Sequence, residues 1–195
     1  MEAFGQTEST GGESMLFDVI RAVPEDVAAL AEIMELVALG MEHREWFVQD
    51  DGAYIAEHIG NNPIFGTDKG FTLKAVTKDW QGREQLAGFF LVDFPGLAQK
   101  NLGHYIGLGQ EDLLRVAHMD SVAILPEFRG HGLQQLLIRK AEAFLRAETE
   151  YRILMATVHP DNIYSLRNVK ELGYEVAAEA DMYGGYHRYI MKKEI

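Results

Sequence analysis

The chain has 195 residues, the size of one compact domain with a single good core. It is 47% hydrophobic and 25% charged, ordinary for a globular protein, and no apolar run approaches the ~20 residues that span a bilayer. A net charge of −12 disfavours nucleic acid, which is bound through Lys and Arg on phosphate, and the lack of cysteine excludes disulfides, thiolate metal sites and a cysteine nucleophile.

Residues 1–14 are rich in Gly, Ser, Thr and Glu and read as a mobile tail; 15–195 read as one domain. No basic segment followed by an apolar one marks a signal peptide, so the expected location is the cytoplasm. Residues 17–23 predict a strand. Pro24, Glu25 and Asp26 suit a first helical turn, and Val27, Leu30, Ala31, Met34, Ala38 and Met41 give a helical stripe. A shorter helix is predicted over 51–59, ended by Asn61-Asn62-Pro63. Residues 71–77 and 85–94 predict two strands of a hairpin around Gln81-Gly82. Between 95 and 110 glycines break every period. A long excursion over a cleft or a packed surface segment both fit.

Residues 121–134 organise the rest of the chain. Ser121 to Leu125 is an apolar run of strand length within a strand predicted over 115–125. Pro126 stops it, because proline has no N–H for a sheet ladder. Arg129, Gly130 and Gly132 then head an amphipathic helix over 131–148, with Leu133, Leu136, Leu137, Ala141, Phe144 and Leu145 on one face. The first turn of a helix carries unpartnered N–H groups at the positive end of its dipole, and glycines let a ligand approach the backbone. A phosphate or pyrophosphate is the usual guest, and Arg129 adds a planar fork of donors. The dinucleotide pattern G-x-G-x-x-G fails, since Gln135 holds its third glycine position, and the P-loop pattern is absent.

A second signature lies downstream. Residues 152–159 predict a strand and 162–172 a helix led by Asn162, which ends in Leu172-Gly173-Tyr174. Residues 174–183 and 186–192 predict a closing hairpin around Gly184-Gly185.

Together these stretches resemble the GNAT superfamily of acyl-CoA-dependent N-acyltransferases. The pattern of its motif A, Arg/Gln-x-x-Gly-x-Gly/Ala, is matched by Arg129 and Gly132, with Gln134 departing from Gly or Ala at the last position. Asn162, Ser165 (where Ala is usual), Leu172, Gly173 and Tyr174 match the second motif at its spacing. The resemblance implies an α/β fold with a mixed, mostly antiparallel central sheet and helices on both faces. It implies acetyl-CoA as co-substrate, held through the backbone of Val122, Ala123 and Ile124. Arg129, Gly130, His131, Gly132, Leu133 and Gln134 would surround the pyrophosphate, with Asn162 and Ser165 beside the pantetheine arm. In such folds the short helix over 51–59 borders the acceptor site, and homodimers are common.

The implied activity is direct acetyl transfer to a primary amine in a ternary complex. The acceptor classes it leaves open are a small amine, an aminoglycoside, a polyamine, a peptide N-terminus or a lysine. Such an amine is mostly protonated at neutral pH, so the site benefits from a base. Where many relatives carry a Tyr acid this chain has Val169, and where some carry a Glu it has Thr157. Asp120 and His118, alternating on one face of the central strand, are the candidates for proton transfer; Tyr164, Tyr183 and Tyr186 stand behind them. A CoA-binding module without turnover is the alternative that Val169 keeps open, and a nucleotide-binding protein on the same turn is a third. No metal-ligating pattern occurs, so no metal is expected. Neither membrane nor nucleic acid is an expected partner.

Overall fold

The structure, a computed structural model, describes residues 15–60 and 66–195. The expected tail over 1–14 and the Asn61-Asn62-Pro63 stop lie outside the described residues. Among those residues seven strands form one sheet: β1 (Asp18–Arg21), β2 (Gly70–Lys78), β3 (Glu84–Asp93), β4 (Val116–Ile124), β5 (Ile153–Val158), β6 (Glu175–Met182) and β7 (Tyr186–Glu194). Their order is β1-β2-β3-β4-β5-β7-β6. Only β4 and β5 run parallel; all other neighbours are antiparallel. The chain order agrees with the mixed α/β architecture expected from the sequence.

Helices cover both faces, so the middle strands are buried on both sides and read as nearly continuous apolar runs. On one face lies α4 (Leu133–Glu148). Its Leu133, Leu137, Ile138, Ala141 and Leu145 pack on Phe71, Leu73, Phe90 and Met119. Ile138 takes the core place that the sequence stripe assigns to Leu136. On the other face α1 (Val27–Leu39) packs Leu30, Ile33, Met34 and Val37 against Phe89, Leu91 and Ala123. The stripe is therefore rotated from the sequence reading: Ile33 and Val37 are buried, and Met41 lies beyond the helix end. Beside α1 sits α2 (Gly52–Glu57), opened by Asp51, whose carboxylate accepts the Tyr54 N–H at 2.8 Å. No helix among the described residues is long and apolar enough to cross a membrane.

The excursion after β3 is both packed and part of the cleft wall. It holds a tight turn at Leu102–Ile106 and a short helix, α3 (Gln110–Leu113). Fully buried Asn101 staples it: its amide donates to the carbonyls of Gly96 (2.6 Å) and Leu113 (3.0 Å), and its oxygen accepts from the Gly103 N–H (2.9 Å). The last helix, α5 (Ile163–Glu171), is capped by Asn162 through the Ser165 N–H at 3.1 Å and stopped at Gly173, where φ is 89°.

Candidate active site

The site begins where β4 and β5 separate. They pair only from Val116–Ile153 to His118–Met155. Beyond that, β4 stays bonded to β3 as far as Ile124, and β5 to β7 as far as Val158. Residues 120–124 thus present one edge of β4 to a gap with no ladder across it. Backbone N–H and C=O groups on such an edge need partners, and an extended ligand can supply them as an added strand would.

A bulge shapes this edge. Leu91 faces Ser121 while Val92 faces Met119, so Asp120 is the extra residue. Ala117, Met119, Val122 and Ile124 turn to the α4 core. Asp120 reaches α2 and Ser121 reaches Asp50, so these two neighbours share a face that strict alternation would have denied one of them.

At the C-terminal end of β4, Pro126–Phe128 forms a tight turn and leads to α4. Gly130 (φ 82°) and Gly132 (φ 70°) adopt left-handed backbone, and a Cβ at either would meet open space. The helix therefore starts at Leu133, not at 131, and no side chain caps its first turn. Its N–H groups are free for an anion. The Arg129 Nε donates to the Ile124 carbonyl at 3.3 Å, and Arg129 has no ion-pair partner among the described residues. The Gln134 side chain does not lie across the turn. Its oxygen accepts from Asn168 at 2.7 Å and its nitrogen donates to Ser165 at 3.3 Å, which ties α4 to α5. His131 is exposed, with its ring 5.9 Å from that of Phe17.

The other end of the gap opens into a cleft of about 1080 Å³ that continues past the turn. Asp120 is open to this cleft yet ringed by its walls. Burial raises its carboxyl above the ordinary range, against the hydrogen bond from the Tyr54 hydroxyl at 2.7 Å. Asp50 accepts a short hydrogen bond from the Ser121 hydroxyl. Burial pushes Asp50 up to about 6, and the charge of Asp120 adds to the effect. Burial and the same charge raise the Tyr54 phenol well above its usual value.

His118 belongs to a different group. Its Nε2 accepts the Leu102 N–H at 3.0 Å and its Nδ1 lies 3.2 Å from an Asp93 oxygen. Both ring nitrogens are engaged, and the ring ties the excursion to β4. Asp93, 1% exposed, also faces His58 at 3.1 Å and Lys100 at 2.9 Å. Burial would raise its carboxyl, but these three partners outweigh burial and hold it well below the carboxylate range.

Across the gap, the parallel register carried two residues past His118–Met155 sets Asp120 level with Thr157. The Thr157 Oγ1 is 3.1 Å from the Tyr183 hydroxyl, which comes from the β6–β7 turn with φ at 55°. Tyr164 is 75% exposed at the start of α5, and Tyr186 is exposed. Val169 is buried in the α4 core and lines a small cavity between the strands with Asp120, Val122 and Thr157, where it has no proton to offer.

The structure thus gathers Asp120, Ser121, Val122 and Ile124, most of the turn at 129–134, and Asn162 and Ser165 along one cleft, which His118 also lines; Ala123 packs instead in the α1 core and His131 does not line the cleft. Sequence reasoning missed Asp50, Ser121, Tyr54 and Asp93. One usable signal was present for Asp50: once Asp51 is assigned as the cap of the next helix, the acid before it has no local partner.

Comparison with known proteins agrees with this geometry. The model of the acetyltransferase (GNAT) family matches residues 55–174, well over half of the chain. No curated protein matches in sequence. A GNAT-family acetyltransferase from Streptococcus pneumoniae superposes with a TM-score of 0.64 at 18% identity, over 92% of this chain and 100% of that one. NAA60 from Arabidopsis thaliana, in complex with acetyl-CoA, gives 0.68 at 13% identity, over 92% and 100%. A phosphinothricin acetyltransferase from Sinorhizobium meliloti, also with acetyl-CoA, gives 0.61 at 16% identity, over 93% and 89%. At these identities the solved structures speak for the fold alone; it is the family model that makes this chain a member of the GNAT acetyltransferase family.

Proposed function

We propose that the protein is an acetyl-CoA-dependent N-acetyltransferase that moves the acetyl group directly to a primary amine in a ternary complex. The observation that carries this reading is the unpaired edge of β4 from Asp120 to Ile124, with an open helix N-terminus at one end and a desolvated carboxylate at the other. The pantetheine arm bonds to that edge. The pyrophosphate takes the first-turn N–H groups of α4 and the Arg129 guanidinium.

Asp120 takes the proton of the incoming amine, directly or through water, and burial makes it a better base than an exposed carboxylate. Tyr54 orients it as a positioning residue. The amine nitrogen bonds to the acetyl carbon, the carbon–sulfur bond breaks, and the thiolate takes a proton from the Tyr183 hydroxyl beside Thr157. His118, with both nitrogens engaged, is assigned a structural role in this scheme.

The test is a thermal-unfolding series with acetyl-CoA, CoA, NAD and ATP. Acetyl-CoA and CoA at about a hundredfold over their dissociation constants should stabilise by roughly 2.7 kcal/mol, and NAD and ATP should not. Equal stabilisation by ATP would return the turn to a general nucleotide site.

A further inference from the structure

The charges lining the cleft are segregated. Arg129 and Arg167 lie by the turn and α5, at the end that suits a phosphate-bearing ligand. Asp50 and Asp120 lie at the other end. The basic side chains near those two carboxylates bond to other groups. His58, His118 and Lys100 converge on Asp93. Arg188, 2% exposed, donates to the carbonyls of Trp46 (3.2 Å) and Glu45 (2.5 Å).

Asp50 and Asp120 are bonded instead to neutral hydroxyls, those of Ser121 and Tyr54. Among the described residues neither has an ion-pair partner. Two desolvated carboxylates side by side repel each other, and a hydroxyl offsets little of that cost. The walls around them are aromatic, with Trp46, Tyr54, Tyr105 and Tyr183, and ring faces attract cations. One ammonium compensates one of the two charges.

We propose that the acceptor is a diamine, whose reacting amine goes to Asp120 and whose second, ammonium end is held by Asp50. This rests on the acetyltransferase reading of the cleft. The reacting ammonium first releases one proton through Asp120 to water and attacks the acetyl carbon as the free amine. As the amide forms the nitrogen gives its second proton to Asp120, the carbon–sulfur bond breaks, and the thiolate leaves and is protonated. The second end stays an ammonium throughout. The product then carries one positive charge where the substrate carried two, so it binds more weakly and leaves after a single acetylation.

The experiment compares putrescine, butylamine and γ-aminobutyrate as acceptors for the full chain, in wild type and Asp50→Asn. Each amine alone is also titrated by thermal shift. Asparagine keeps an acceptor for the Ser121 hydroxyl, and acetyl-CoA affinity and the unfolding midpoint check that the variant is folded. The wild type should prefer putrescine over butylamine in kcat/KM by about 10- to 100-fold, the worth of one charged hydrogen bond. γ-Aminobutyrate should be the poorest, and the product should be the monoacetylated diamine. In Asp50→Asn the putrescine-to-butylamine ratio should fall to about one, and putrescine should no longer shift the midpoint.

Equal use of putrescine and butylamine by the wild type would overturn the diamine proposal and leave the acetyltransferase reading standing. So would a ratio unchanged in Asp50→Asn. If no amine is acetylated although acetyl-CoA binds, the acetyltransferase reading fails, and the thermal shift by putrescine alone still decides whether Asp50 is a cation seat.

Discussion

Asp50 links function to stability at a single side chain. Its carboxyl has an ordinary value of 3.8 and is pushed up to about 6 in the folded protein. The folded state therefore holds a proton that the unfolded chain releases between those values, and stability falls as pH rises through that window. Above about 6 the buried charge is a standing cost. Asp50→Asn removes it, so the variant should unfold at a higher temperature than wild type at neutral pH. Near pH 3.8 and below the gain should disappear, because both side chains are then neutral. A melting series across pH checks this; a gain independent of pH would mean that the Asp50 carboxyl titrates alike in the folded and unfolded states, and that its burial does not raise it. Stabilisation obtained by neutralising a site residue is the usual mark of a group kept for function.

Two elements bear most of the site. The turn before α4 requires left-handed backbone at Gly132, where an L-residue costs about 1–2 kcal/mol. Gly132→Ala should fold with roughly that loss and bind CoA more weakly, since its Cβ stands in the open space at the turn. Gly82→Ala is the control: it has φ at 78° and equally open surroundings, but lies in the β2–β3 turn away from the cleft. Matched destabilisation with CoA affinity lost only at Gly132 is the expected result in calorimetric titration; loss at neither position would refute the phosphate-turn assignment. The excursion between β3 and β4 is held to the sheet by His118 through the Leu102 N–H. His118→Phe removes that acceptor and leaves Asp93 short of one partner. Amide exchange over 96–113 should speed up and the KM for the amine should rise more than that for acetyl-CoA, because Gln99, Lys100, Leu102 and Tyr105 line the cleft. A variant with turnover abolished and amide exchange unchanged would make His118 a catalytic residue instead.

For the whole molecule, the elements were legible because their signals are local. Pro126, Gly132 and Gly173 punctuate strand and helix, and Asn162 caps as its position suggests. The phosphate turn was legible for the same reason. The acceptor side was not. The bulge at Asp120 arises from a register shift against β3, which no property of β4 alone reveals, and it is this shift that lets Asp120 and Ser121 share a face. Asp50 reaches Ser121 across 71 positions of sequence, and Tyr54 reaches Asp120 across 66. The engagement of both His118 nitrogens depends on the fold of the excursion, where glycines erased the period. Helix α1 shows the smaller error, a stripe drawn through Ala38 and Met41 when Ile33 and Val37 face the sheet.

The central claim is acetyl transfer to an amine with Asp120 as proton acceptor, and the most direct measurement is thiol release from acetyl-CoA on addition of a primary amine, in wild type and Asp120→Asn. The wild type should release one thiol per acetylated amine. Asp120→Asn should keep its acetyl-CoA affinity but turn over about 10²–10⁴-fold more slowly at neutral pH, with the deficit shrinking at high pH, where more of the amine is already neutral. A folded Asp120→Asn protein with wild-type turnover at neutral pH would contradict the account, as would a wild type that binds acetyl-CoA and acetylates no amine.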